Sequence, residues 1–467
     1  MSDSTPTQLR FPPSAGFTVR ADFDGGAMSS DFGAMLLRGV DHQVGLINRL
    51  TAAIKDQRHP SYIDHDLADL LAQRIYQIGC GYHDGNDCNS LRHDPLFKLA
   101  INRKPVEVSE ALASAPTLSR LENAVTARDI YRIAQAFVEQ FIASYASTPA
   151  IIVLDMDHSE DQTHGQQEFS FYNHHYRSHC YLPLFLFEGL SGKFITAVLR
   201  PGKRPKGAEN AMIIKRVVKL LRQHWPETHI VLRGDGHFSN PELMQLALDD
   251  PHTDFIFGLT GNQVLKRLAS PHLENTRKLH ETRCHNALLF DRERPQSTRT
   301  YHELDYAAGT WPQSFRTILK AEIMDLGENP RFVVTSLTNT TPTILYKDLY
   351  CARGQDENYI KMMKNDLASD RTSDHSFLAN HLRLFFSCAA YVLHQVIRTE
   401  LLANTELATA QPSTIITKLF KIAVRVVQYK DRIKLQLPSC YPFKSILHNI
   451  TELLYCAKPP PALNQTC

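Results

Sequence analysis

Four acidic residues stand where a folded chain could gather them for chemistry. Asp155 and Asp157 close the apolar run AIIVLDMD (150–157), Asp235 closes HIVLRGD (229–235), and Glu357 lies within YCARGQDENYIKMMK (350–364). A strand turns successive side chains to opposite faces, so Asp155 and Asp157 share one face while Met156 takes the other. Carboxylates after an apolar run sit badly in a core and suit the C-terminal edge of an open sheet, where ligands bind. Asp235 has Gly234 and Gly236 on its two sides, which permits tight turns and close approach of a ligand. Three carboxylates held together repel one another. They also offer hard oxygen donors, the kind preferred by Mg2+ or Mn2+ over zinc. Two such ions roughly 3.5–4 Å apart would activate a nucleophilic oxygen and stabilise a leaving one at phosphorus.

The neighbours of Glu357 have their own spacing. Tyr350, Arg353, Glu357 and Lys364 follow one another at steps of three, four and seven residues. At about 3.6 residues per turn these positions stack on one helical face. Arginine suits bidentate binding of a phosphate, and lysine serves as a point charge. Taken alone, the stripe reads more simply as a solvated helix with spaced ion pairs. It gains meaning only if a fold brings the aspartates to it.

The surrounding pattern predicts such a fold. AIIVLDMD (150–157), YLPLFLFE (181–188) and KFITAVLR (193–200) read as three strands, the last two joined by a Gly-Leu-Ser-Gly turn. A helix across ENAMIIKRVVKLLRQHW, a fourth strand HIVLRGD, a helix PELMQLALD opened by Asn240-Pro241, and a fifth strand DFIFGLTG (254–261) follow. If strands one and four are neighbours, their aspartates converge, and Glu357 on the later helix completes a three-carboxylate set. Upstream, TARDIYRIAQAFVEQFIASYA carries Thr126 and Asp129 as a cap and Ile130, Ile133, Phe137 and Phe141 as an apolar stripe.

The composition sets limits. The chain has 467 residues, 43% hydrophobic and 21% charged, as in an ordinary folded protein of two or three domains. The net charge is only +2, so affinity for nucleic acid must come from local patches such as LRPGKRPKG (199–207) and KLFKIAVRVVQYKDRIK (418–434). Nine scattered cysteines without a CxxC pair suggest free thiols in a reducing, cytosolic setting. The opening MSDSTPTQLRFPPS does not resemble a signal peptide, and no apolar run spans a bilayer.

On these residues a family resemblance can be stated. The element order resembles the ribonuclease H-like fold, and Asp, Asp and Glu at these places resemble the DDE transposases of bacterial insertion sequences. The pattern Y-(2)-R-(3)-E-(6)-K, the signature of one large transposase superfamily, is matched by Tyr350, Arg353, Glu357 and Lys364. The stretches 154–189 and 350–386 closely resemble the insertion-sequence group usually called "thirteen-eighty", and GYHDGNDCNSLRHDP and PTLSRLEN resemble its N-terminal part. The resemblance implies an α/β protein with a ribonuclease H-like catalytic core, a mixed five-stranded sheet with flanking helices. It implies Asp157, Asp235 and Glu357 as catalytic metal ligands. Asp157 is preferred because His158 and Ser159 complete an Asp-x-Ser pattern; Asp155 is the alternative or a supporting residue. Arg353 and Lys364 would hold transposon-end phosphates, and Tyr350 would position the same strand. The cofactor would be Mg2+, with Mn2+ as a substitute, as two ions. The partners would be double-stranded DNA, both terminal inverted repeats and target, with a dimer in the synaptic complex. The enzyme would work in the bacterial cytoplasm, on the nucleoid when bound to DNA, by cut-and-paste transposition.

The domains expected are a mainly helical N-terminal DNA-binding domain (1–148), the core's first part (149–261), an inserted β-rich segment (262–343), the core's catalytic and following helices (344–400), and a C-terminal basic region and tail (401–467). Within them, Thr117, Ser119 and Arg120 could touch phosphates. Trp311 could stack on an extruded base, although a core role is the simpler reading. The zinc readings are set aside: CGYHDGNDC has no standard ligand spacing, and the histidines 158, 164, 174, 175 and 179 lack an HExxH. GLSGK (189–193) is not a phosphate loop, because Phe194 follows the lysine. Two rivals stand beside transposition: a ribonuclease H-like nuclease that never joins strands, and a catalytically silent DNA-binding descendant.

Overall fold

The computed structural model describes residues 8–457; the first seven residues and the Pro-rich tail from 458 lie outside them. The described chain divides into two compact units, residues 131–361 with 370–384 in one, and the remaining residues in the other.

The first of these units is built on one large mixed sheet, entered through a helix, α1 (Ala127–Ala143). Thr126 and Asp129 cap that helix reciprocally: the Thr126 amide donates to the Asp129 carboxylate at 2.9 Å, and the Asp129 amide donates to the Thr126 hydroxyl at 3.3 Å. Then come β1 (Ile151–His158), β2 (Leu184–Glu188), β3 (Phe194–Val198), α2 (Gly207–His224), β4 (His229–Gly234), α3 (Pro241–Leu248) and β5 (Thr253–Leu259). Their order across the sheet is β3-β2-β1-β4-β5. β1, β4 and β5 run parallel, while β2 is antiparallel to both β1 and β3. This is the five-stranded mixed sheet of a ribonuclease H-like core.

The segment after β5 differs from the expectation of β-rich structure alone. It opens with a 27-residue helix, α4 (Gln263–Leu289), capped by the Asn262 side chain and containing Pro271. Three strands follow, β6 (Ser297–Tyr306), β7 (Phe315–Met324) and β8 (Arg331–Thr335). They continue the same sheet from β5 in the order β8-β7-β6, rather than forming a separate layer. Charged residues interleave along α4 (Lys266, Arg267, Glu274, Arg277, Lys278, Glu281), which hides its apolar stripe of Leu265, Ala269 and Leu273 from a periodicity reading.

The two faces of the sheet are unlike. One packs Ile152, Leu154, Met156, Ile230, Leu232, Phe255 and Phe257 against α2, α3 and the end of α1 in a continuous apolar core. Each such side chain contributes about 1.5–3 kcal/mol on burial. On the other face Val153, Val231 and Ile256 meet Leu345 and Tyr346, and farther along β1 and β4 the same period of two presents charged groups. That face is met by a helical run whose pitch changes along its length: a wide π-type stretch Leu345–Tyr350, a tight 3-10 turn Cys351–Arg353, then α5 (Gly354–Leu367). The regular period expected for Tyr350 through Glu357 is therefore broken just before the glutamate. Such wide turns often mark functional sites. The helix α6 (Phe377–Val396) follows.

In the other unit, helices Gly33–Val44, Leu46–Ala53, Leu67–Gly79, Pro95–Ala100 and Ala115–Ala124 are joined by strands unforeseen in the sequence. Met28–Asp31 pairs with Lys421–Gln428, which pairs with Ile433–Gln436. The loop of CGYHDGNDC is structural: Cys80 and Cys88 are buried free thiols, and the Cys88 thiol donates to Gln77 at 2.9 Å.

Candidate active site

The strand register aligns the aspartates. Arg233 on β4 stands directly opposite Asp155 on β1, so the next residues on that face are Asp235 and Asp157. Both lie at the C-terminal ends of parallel strands, as the sequence pattern predicts. Asp155 and Asp157 nevertheless differ completely in environment. Asp155 is fully buried, and both of its oxygens are bound by the Arg233 guanidinium. Asp157 retains 15% side-chain exposure and faces Arg353, whose Nη1 lies 3.4 Å from Asp157 Oδ2. Asp235 retains 28% and is held by His237, through the imidazole Nδ1 and the backbone amide, each at 2.8 Å.

The electrostatics join these groups. Burial pushes the Asp157 carboxyl up to about 6, against the pull of Arg353 and with added repulsion from Asp235 and Glu357. Burial alone would raise Asp235 as well, yet the His237 bonds hold it below the ordinary carboxylate range. His237 is raised in turn, first through its hydrogen bond to Asp235. Arg353 feels Asp157, Tyr350, Asp235 and Glu357 together, and their charges more than offset its desolvation. One arginine is thus the electrostatic centre of the three carboxylates. Glu357 itself is exposed, in the first turn of α5. Tyr350 packs close to the strand ends: a Cβ on Gly258 of β5 would come within 2.5 Å of its hydroxyl and 3.2 Å of the Asp235 carbonyl carbon.

Two groups around the site, Arg233 and Asp356, escaped sequence reasoning, and the surroundings of a third, His158, were not foreseen. Arg233 is half of the Arg-Gly-Asp exit from β4, and alternation with Asp235 was its only signal. Asp356, next to Glu357, is fully buried and faces Asp155. Its oxygens find no donor among the described residues, and burial plus the Asp155 charge push its carboxyl well above the ordinary carboxylate range. His158 is pushed down to about 3 by burial and by Arg200, whose Nη2 sits 2.6 Å from its Nδ1.

A family model described as transposase DDE domain group 1 matches residues 11–459. The chain belongs to this family. The transposase is also similar to a solved structure, the cryo-EM structure of a piggyBac transposase synaptic complex with hairpin DNA. The match has 13% identity and a TM-score of 0.40, and covers 79% of this chain and 76% of that one. Comparison with curated proteins gives no match. DNA transposition, by DNA cleavage and strand transfer, is the activity of this enzyme class.

DDE transposases use divalent metal ions. The candidate donors Asp157, Asp235 and Glu357 fit them in chemistry: they are hard oxygen donors whose mutual repulsion a cation would relieve, and Asp157 is lifted first by burial and further by Asp235 and Glu357. In arrangement the set is a neighbourhood, not a cage. Among the described residues no three of His, Cys, Asp or Glu stand close enough to enclose an ion; Arg353 stands on Asp157 and His237 on Asp235 instead. Asp155, the alternative ligand, has both oxygens taken by Arg233.

Lys364 lies seven residues beyond Glu357 on α5, in the part of that helix belonging to the other unit. Ser119 and Arg120 are exposed on helix Ala115–Ala124, with Thr117 half-buried. Trp311 packs edge-on against Tyr306 and Phe315, with ring centres 5.2 and 5.9 Å away, as a core side chain does. Among the described residues no helix is long and apolar enough to cross a membrane.

Proposed function

We propose that Asp157, Asp235 and Glu357 are the catalytic carboxylates of the transposase, and that Arg353, Tyr350 and Lys364 grip the transposon end. The observation that carries this reading is Arg353, which stands 3.4 Å from Asp157 and is subject to the charges of Asp235 and Glu357 as well. An arginine placed so has two anionic partners open to it, the carboxylates or a DNA phosphate. Binding of an end would draw its guanidinium to the phosphate and free Asp157 for ligation. Tyr350, backed by Gly258, would hold the strand beside it.

Asp157, Asp235 and Glu357 would hold Mg2+ as two ions, with Mn2+ as a substitute, and bound ions supply charge neutralisation at the phosphorus and its entering and leaving oxygens. Cleavage forms a bond from a water oxygen to phosphorus and breaks the bond to the 3′ oxygen, which leaves with a proton as a 3′-OH. In strand transfer that hydroxyl oxygen gives up its proton and bonds to the phosphorus of a target phosphodiester, or first to one of the opposite strand to form a hairpin, and the 3′ oxygen of the attacked strand leaves with a proton as a new 3′-OH. The protein's share is placement and charge compensation. Two inverted repeats handled together call for a dimer in the synaptic complex. A bacterial insertion sequence of the "thirteen-eighty" group, acting in the cytoplasm, is the source that the motifs favour. The helical domain at 1–148 and the basic region from 401 would supply further DNA contacts.

The test uses an end-repeat duplex with Mg2+ or Mn2+ and the variants Asp157→Asn, Asp235→Asn and Glu357→Gln. Each should bind the end within about threefold of wild type and lose cleavage by about a thousandfold, roughly 4 kcal/mol of barrier. Pre-cleaved ends with a 3′-OH should be joined to target by wild type. Cleavage without joining would support the nuclease reading, and normal cleavage by Asp235→Asn would remove that residue from the mechanism.

A further inference from the structure

Beneath the catalytic carboxylates lies a second charged set that the proposed chemistry leaves unused. Arg233 precedes Asp235 by two residues on β4, Asp155 precedes Asp157 by two on β1, and Asp356 precedes Glu357 by one on α5. All three are buried, at 2% exposure or less. Arg233 binds both oxygens of Asp155. Its remaining nitrogen donates to the Leu349 carbonyl at 2.6 Å, the residue before Tyr350. Asp356, fully buried on the helix and with no hydrogen-bond donor to either oxygen among the described residues, faces Asp155. Gly189 closes the other side, where a Cβ would overlap both the guanidinium and the Asp155 carboxylate.

We propose that Arg233, Asp155 and Asp356 form a buried clasp that sets the spacing of Asp157, Asp235 and Glu357. The clasp joins both strands and the helical run that deliver these three residues and Tyr350. A buried charged set is a poor choice for stability alone, since apolar side chains of the same volume often do as well. A planar fork held by two carboxylate oxygens fixes distance and angle together, which apolar packing does not. A catalytic constellation needs its members held to within about 0.5 Å. The three are positioning residues; they touch neither DNA nor the reacting atoms.

This inference rests on Asp157, Asp235 and Glu357 being the catalytic set, so Asp235→Asn is the control. Asp356→Asn keeps the shape and offers an amide to Asp155; Asp356→Ala keeps neither. The full chain bound to end DNA would be assayed for cleavage at saturating DNA, for end affinity, and for Mn2+ affinity by titration calorimetry. Asp356→Asn should rescue, staying within about threefold of wild type in cleavage and Mn2+ affinity. Asp356→Ala and Arg233→Lys should lose about thirtyfold in cleavage and about tenfold in Mn2+ affinity, with end affinity within about twofold. Equal behaviour of Asp356→Asn and Asp356→Ala would overturn the clasp. Normal cleavage by Asp235→Asn would overturn the catalytic set, and the clasp with it. If Asp356→Ala fails to fold, Gly189→Ala asks the same question by crowding the clasp, and unchanged cleavage by that folded variant would refute it.

Discussion

At the scale of single residues, Arg353 faces the Asp157 carboxylate in the structure and would face a phosphate in the proposed complex. A guanidinium grips a phosphate through two parallel bonds, whereas an ammonium offers one flexible point charge. Arg353→Lys should therefore weaken end binding by about tenfold, roughly 1.4 kcal/mol, and lower cleavage at least as much. A fluorescence-anisotropy titration with end-repeat DNA checks the first part, and an unchanged dissociation constant would contradict the grip. The placement of Asp157 and Asp235 at the ends of neighbouring parallel strands was legible in the sequence, because an apolar run closed by a carboxylate is a specific pattern. What separates Asp155 from Asp157 was not legible: both share a strand face, and only the register that sets Arg233 opposite Asp155 shows which one is buried. Asp356 was invisible for the same reason, since a helix N-terminus with two acids side by side gives no sign of which one turns inward.

At the scale of elements, the site depends on close contact between β4, β5 and the irregular run before α5. Gly258 on β5 is the joint, with no room for a methyl beside the Tyr350 hydroxyl and the Asp235 backbone. Gly258→Ala should keep the fold and reduce cleavage by about tenfold to a hundredfold, because a shift of about 1 Å at such a site costs that much; gel assays of cleavage beside a thermal melt would show it. The helix α6 carries a different constraint. His394 is fully buried, its Nε2 lies 2.8 Å from the Gly79 carbonyl, and burial pushes it down to about 4. A base depressed in the folded state contributes stability that is present above its unfolded value near 6.5 and is lost as pH falls toward 4. The cost from this residue at pH 5 is about 2 kcal/mol. The melting temperature should drop between pH 6.5 and 4, and His394→Gln should flatten that slope; parallel slopes would contradict the assignment. The five core strands and their helices were legible from alternating and helical periods. The π-type stretch at Leu345–Tyr350 was not, because local pitch is set by packing of Leu345 and Tyr346 against the sheet, nor was the pairing of Met28–Asp31 with Lys421–Gln428, which joins segments almost a chain length apart.

At the scale of the whole molecule, the charge balance bounds how DNA is held. A net charge of +2 over 467 residues gives little long-range attraction, so affinity must come from cations that contact phosphates directly. Several cations are exposed: Lys203, Arg204 and Lys206 in the stretch before α2, and Arg425, Lys430, Arg432 and Lys434 on or between the strands Lys421–Gln428 and Ile433–Gln436. Each phosphate neutralised releases counterions, and the logarithm of the binding constant then falls with the logarithm of salt by about 0.9 per contact. If about six cations engage phosphates, Arg353 included, the slope should be about −5.4, a loss of about two-thousandfold between 50 and 200 mM salt. Replacing Lys430 and Arg432 by glutamine should lower the slope by about two without altering cleavage of DNA that is already bound. A slope near zero in wild type would mean that the end is held by something other than its phosphates, and the grip proposed for Arg353 would fall with it.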